Sequence, residues 1–204
     1  TPTKLVGTGA TGSAGQGTSV SVYGDTLVIG GPSDNLNTGA AWVFTRSGTT
    51  WTQQGTKLVG TGATGAARQG VVLSLYENTF AVSGVNDNLF LGATWVFIRN
   101  GSTWTQQGSK LVGSLNSGQS SQGTSISLFK DTLAIGGPDD DSGVGAVWIF
   151  TRSNDVWTQQ GSKLVGTGAI GPSRQGESVS INENTIATVG GGDNGDEGAV
   201  WIFR

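Results

Sequence analysis

The chain has 204 residues, 36 of them glycine, with 12% charged residues and a formal net charge of -3. So few charges, with 35% hydrophobic residues, argue against disorder, and a negative balance without a basic run excludes the electrostatic footprint of a nucleic-acid binder. No cysteine and no histidine are present, which removes a disulfide framework, a thiolate metal site and the commonest general base.

Four copies of one segment fill the chain. Leu5, Leu58, Leu111 and Leu164 recur every 53 residues, as do Gln16, Gln69, Gln122 and Gln175, and Trp42, Trp95, Trp148 and Trp201. Such a period marks an array in which one copy cannot bury its own apolar faces and leans on its neighbours. In the first copy, Gly17 to Val22 alternates small polar with apolar residues, Tyr23 to Thr26 supplies turn formers, and Leu27-Val28-Ile29 follows. This predicts a hairpin of strands a and b, with matching turns at Glu77-Asn78, Lys130-Asp131 and Glu183-Asn184. After a polar stretch from Gly30 to Gly39, Ala40 to Phe44 forms strand c, apolar on both faces and therefore covered on both. A tight turn at Arg46 to Thr49 leads to strand d, from about Trp51 to Val59, and Gly60 to Arg68 connects to the next copy.

Four antiparallel strands in about 50 residues are the size of a propeller blade. The expected fold is all-β, a β-propeller of four-stranded antiparallel blades in a single domain over residues 1–204. The blades are 17–59, 70–112, 123–165 and 176–204, the last closed by a strand from residues 1–6 that match 54–59. Four blades in one chain fit a four-bladed ring, or an eight-bladed ring made from two chains. Copies one and three share Asp-Thr-Leu after the first turn, whereas copies two and four share Glu-Asn-Thr and an Arg before the Gln. A two-blade unit, and hence an even blade count, follows.

Gln16-Gly17, Gly30-Gly31-Pro32 and Gly39 to Phe44 resemble, in all four copies, the FG-GAP repeat family, blades of integrin-type β-propellers, in its bacterial branch with short hairpins. Gln stands where the family has an aromatic, and the later motif drifts to Ser83-Gly84-Val85 and Gly190-Gly191-Gly192. The resemblance implies extracellular recognition at a secreted or cell-surface location. The family's calcium loop of alternating carboxylates in the a to b hairpin is not carried over, because that hairpin holds only Gly24-Asp25 or its equivalents.

Antiparallel order puts the short hairpins on one face and the long connections on the other, where binding residues concentrate. Eight of the 14 acidic residues lie in the b to c connections, so that face is expected to be acidic. Asp139, Asp140, Asp141, Asp193 and Asp196 are candidates for a calcium site, although the turn-former reading is preferred and no cofactor is expected. The candidate ligand-binding residues are Gln16, Gln69, Gln122 and Gln175 at the entrance to strand a, Arg68 and Arg174 before them, and Trp51, Trp104 and Trp157 on the outer strand. Asn100-Gly101-Ser102 is a glycosylation acceptor pattern. No nucleophile stands beside a base, so an enzyme is not expected.

The expected function is a non-catalytic extracellular module that binds a glycan, as a lectin does, or a protein through the long-loop face. The alternative is a structural or adhesive repeat protein of a surface layer, spacer or filament. The expected partners are a glycan or an extracellular protein and a second copy in a homodimer or higher assembly, with neither nucleic acid nor membrane insertion, because no apolar stretch approaches the roughly 18 residues of a span. Thr1-Pro2-Thr3 carries neither an initiator Met nor a signal peptide, so a processed or excised chain is expected.

Overall fold

The computed structural model describes residues 3–204 as four antiparallel sheets in chain order. The first contains β1 (Ser19–Tyr23), β2 (Thr26–Gly31), β3 (Ala40–Ser47) and β4 (Thr50–Gln53). The second contains β5 (Leu73–Tyr76), β6 (Thr79–Gly84), β7 (Ala93–Asn100) and β8 (Thr103–Gln106). The third contains β9 (Ser125–Phe129), β10 (Thr132–Gly137), β11 (Ala146–Ser153) and β12 (Val156–Gln159). The fourth has three strands, β13 (Ser178–Asn182), β14 (Thr185–Gly190) and β15 (Ala199–Phe203). Within each sheet the strands pair in sequence order, so every connection is a hairpin or a longer return on the same sheet.

Period-2 alternation sets which side of each strand is apolar. Leu73 and Leu75 of β5 face Val28, Ala41 and Val43 of the first sheet, and Ile126 and Leu128 of β9 face Ala81 and Val96 of the second. Val179 of β13 faces Ala134, Val147 and Ile149 of the third. The core is thus a series of sheet-to-sheet interfaces, and the central strands β3, β7 and β11 are covered on both sides, as their composition demands.

Strand d departs from the expected Trp51 to Val59. It ends at Gln53 because Gly55 turns the chain out with φ +75. Leu58 then rejoins the same strand edge in an isolated antiparallel bridge with Ala41, and Leu111 and Leu164 repeat this with Thr94 and Val147. Of the strand expected from residues 1–6 to close the last sheet, Thr1 and Pro2 lie outside the described residues, and residues 3–6 pair with no strand. Among the described residues no hydrogen-bonded bridge joins the first sheet to the fourth.

Candidate functional site

The b to c connection on the long-loop face has one shape in all four copies. Asn35, Leu36 and Asn37 take φ values of +46, +56 and +67, and Asn88, Leu89 and Phe90 repeat them at +48, +57 and +67. Asp141, Ser142 and Gly143 make the third left-handed turn, and Asn194, Gly195 and Asp196 the fourth. Asn, Asp and Gly tolerate this conformation, whereas an ordinary L-residue loses roughly 1–2 kcal/mol in it. Leu36, Leu89 and Phe90 are therefore out of place, and they are bare: 90%, 78% and 50% exposed.

Beneath each of the first three turns lies a buried carboxylate. Asp34 accepts the Thr11 N–H at 2.7 Å and pairs with Lys57 Nζ at 2.5 Å. Asp87 does the same with Thr64 at 2.6 Å and Lys110 at 2.5 Å, and Asp140 with Ser117 and Lys163. Each aspartate so ties the loop entering its sheet to the loop leaving it. The expected acidic face is corrected accordingly: Asp34, Asp87 and Asp140 are buried, each beside a lysine.

The candidate cation residues do not converge. Asp140 is held by Ser117 and Lys163, while Asp139 accepts from Ser121 Oγ at 2.6 Å and pairs with Arg174 at 3.0 Å. Asp193 accepts the Ile170 N–H, and Asp141 and Asp196 stand within the left-handed turns. Among the described residues no group of three acidic side chains forms a metal site.

The four glutamines have a scaffold role. Each amide makes a two-bond pairing with one glycine backbone: Gln16 with Gly7, Gln69 with Gly60, Gln122 with Gly113 and Gln175 with Gly166, at 2.5–3.1 Å. That glycine lies flat on the indole of Trp42, Trp95, Trp148 or Trp201, where an added Cβ would come within 2.0–2.2 Å of the ring. The indole N–H donates to the carbonyl of the next residue, as in Trp95 to Thr61 at 2.7 Å. Gln, Gly and Trp form one keystone per sheet, and the amide edge of each glutamine faces the backbone.

Of the outer-strand candidates for ligand binding, Trp104 and Trp157 are buried and Trp51 is half-buried. The reason is a reach across sheets: Trp104 Nε1 donates to Gln54 at 2.8 Å and Trp157 Nε1 to Gln107 at 2.9 Å. Arg46, Arg99 and Arg152 cap the outer-strand rings at 5.2–5.6 Å. Arg174 is engaged by Glu177 and Asp139, which keep its guanidinium pKa above the ordinary value, the bond to Glu177 being the largest cause. Arg68 is half-buried in a left-handed conformation, and no ion pair to it is seen among the described residues.

The hairpin face holds a feature that strand-and-turn reasoning missed. Tyr23, Tyr76 and Phe129, at the ends of β1, β5 and β9, form a row with centroids 5.0 and 5.1 Å apart. Tyr23 also lines a groove of about 460 Å³ with Asp25, Arg46, Glu77, Asn78 and Arg99. Desolvation, then Tyr76 and Glu77, raise the Tyr23 phenol above its usual pKa. The signal was present as an aromatic before the turn in three copies, with Asn182 in the fourth.

No family model matches the sequence, and neither does any curated protein. Among solved structures, the chain is similar to the crystal structure of the computationally designed Ika4 protein, with a TM-score of 0.55 at 12% sequence identity. The likeness covers 92% of this chain and 91% of that chain, and it shows a shared repeated all-β fold.

Proposed function

We propose that the chain is a non-catalytic recognition module built of β-propeller blades, and that it binds a protein partner through the apolar tips of its long-loop face. Sequential four-stranded sheets apposed face to face support the propeller reading, as does the FG-GAP resemblance around Gln16-Gly17 and Gly30-Gly31-Pro32. One observation carries the binding reading: Leu36, Leu89 and Phe90 are exposed while held in a backbone conformation that disfavours them. Neither packing nor local stability accounts for large apolar side chains there, and strained, exposed apolar residues on a rigid frame are a mark of a contact surface. Their turns are anchored by Asp34–Lys57 and Asp87–Lys110, so they meet a partner with little ordering cost.

A glycan is the second reading, favoured by the Tyr23, Tyr76 and Phe129 row beside the polar groove of the hairpin face. A glycan array and a panel of immobilised extracellular-matrix proteins separate the two. The triple variant Leu36→Asn, Leu89→Asn, Phe90→Asn should lose binding to the matrix-protein panel while keeping its fold. Array signal lost in Tyr76→Ala but kept in the triple variant would shift the site to the hairpin face. Binding to neither panel would favour a structural repeat protein of a surface layer or filament.

A further inference from the structure

The junction between consecutive sheets, with the segment that links them, repeats the same contacts three times, and each series has an unmatched member at either end of the described residues. The ion pairs run Asp34–Lys57, Asp87–Lys110 and Asp140–Lys163. Lys4 occupies the repeat position before Lys57 and Asp193 the position after Asp140, and among the described residues neither is in an ion pair. The bridges Ala41–Leu58, Thr94–Leu111 and Val147–Leu164 likewise leave Leu5 and Val200 unmatched. Ser21, Ser74 and Ser127 accept the N–H of Leu75, Leu128 and Ile181 at 2.9–3.1 Å, which leaves the N–H of Val22 and the hydroxyl of Ser180 as the two ends of that series.

The apolar faces tell the same story. Val20 and Val22 stand where Leu73 and Leu75 are buried, and Val200 and Ile202 where Val147 and Ile149 are buried, yet all four are 55–61% exposed. One end thus offers a knob face with Lys4, and the other the complementary face with Asp193.

We infer that the fourth sheet of one chain receives the first sheet of a second copy, head to tail, continuing the interface already present three times within each chain. Lys4 of one copy then pairs with Asp193 of the other, Leu5 bridges Val200, and Ser180 accepts the Val22 N–H. A heterologous contact of this kind forms a ring where the rotation closes. Two copies bring eight sheets, the upper end of the ordinary propeller range of about 4–8 blades, while three would exceed it. The count of two, though not the pairing itself, rests on the propeller reading above.

The test is mass in solution, by sedimentation equilibrium and light scattering on the whole chain, with circular dichroism as the check on folding. Twice the 20.8 kDa chain mass is expected. Lys4→Glu and Asp193→Lys should each weaken association at least tenfold, because every junction then opposes like charges. An equimolar mixture of the two variants should recover the dimer, since it forms one native junction and one with the charges exchanged. Val22→Lys, on the face exposed in the single chain, should also give a monomer. A monomeric wild type, a mass above two chains, or a mixture that stays dissociated overturns the inference. The long-loop triple variant should leave the mass unchanged, so the failure of either proposal is seen apart from the other.

Discussion

Replacing Gly113 by Ala tests the keystone most directly. The new Cβ would sit 2.1 Å from Trp148 Cδ1, and Trp148 is fully buried, so the indole must move. Overfilling a packed site costs about 1–3 kcal/mol. Movement of the ring also disturbs its 2.7 Å donation to the Ser114 carbonyl, a bond worth about 1 kcal/mol. A loss of about 2–4 kcal/mol follows, or roughly 5–15 °C in Tm at the 2–4 °C per kcal/mol expected for this size. Gly118→Ala is the control: its φ is +73, but nothing lies within 4 Å of the added atom, so only the backbone penalty of about 1–2 kcal/mol applies. Scanning calorimetry and urea unfolding compare the two. A loss at Gly113 no larger than that at Gly118 would refute the packing argument, because Gly113 carries no left-handed strain and only the clash with Trp148 can make its substitution costly.

Gln122→Leu should cost about 2–4 kcal/mol in urea unfolding, since it leaves both backbone groups of Gly113 without a partner in a buried place. Gln16→Leu should cost less, because Gln16 is only half-buried and water can reach Gly7 in its stead. Asp87→Ala should destabilise by about 3 kcal/mol, the low end for a broken buried pair, since Lys110 keeps some contact with water. Leu36→Asn should raise stability by about 0.5–1 kcal/mol, a gain read in thermal melts, because Asn tolerates the left-handed turn. Ultraviolet titration of the two tyrosines should place Tyr23 above its ordinary value. Its neutral form is the one favoured by folding, so its stabilising effect is complete below the unfolded pKa and disappears as pH rises through the folded one.

Strand positions and the two-sided cover of strand c were legible because alternation and a fixed period of 53 act on neighbouring residues in sequence. The site was not, and the reason is distance. Asp34 and Lys57 are 23 residues apart, so an aspartate that reads as a turn former is in fact a buried anchor for two loops. Trp104, flanked by Thr and Gln, looks half-exposed until Gln54 arrives from the previous sheet. Asp and Asn announced a turn but not three successive left-handed residues, and only that geometry makes Leu36 and Leu89 conspicuous. The match of residues 1–6 to 54–59 predicts closure within one chain, whereas residues 3–6 pair with no strand.

The Gln–Gly–Trp keystone has a genetic consequence. Because each clasp draws its glycine, glutamine and tryptophan from a single 53-residue copy, a circularly permuted gene opening one unit later would encode the same set of clasps.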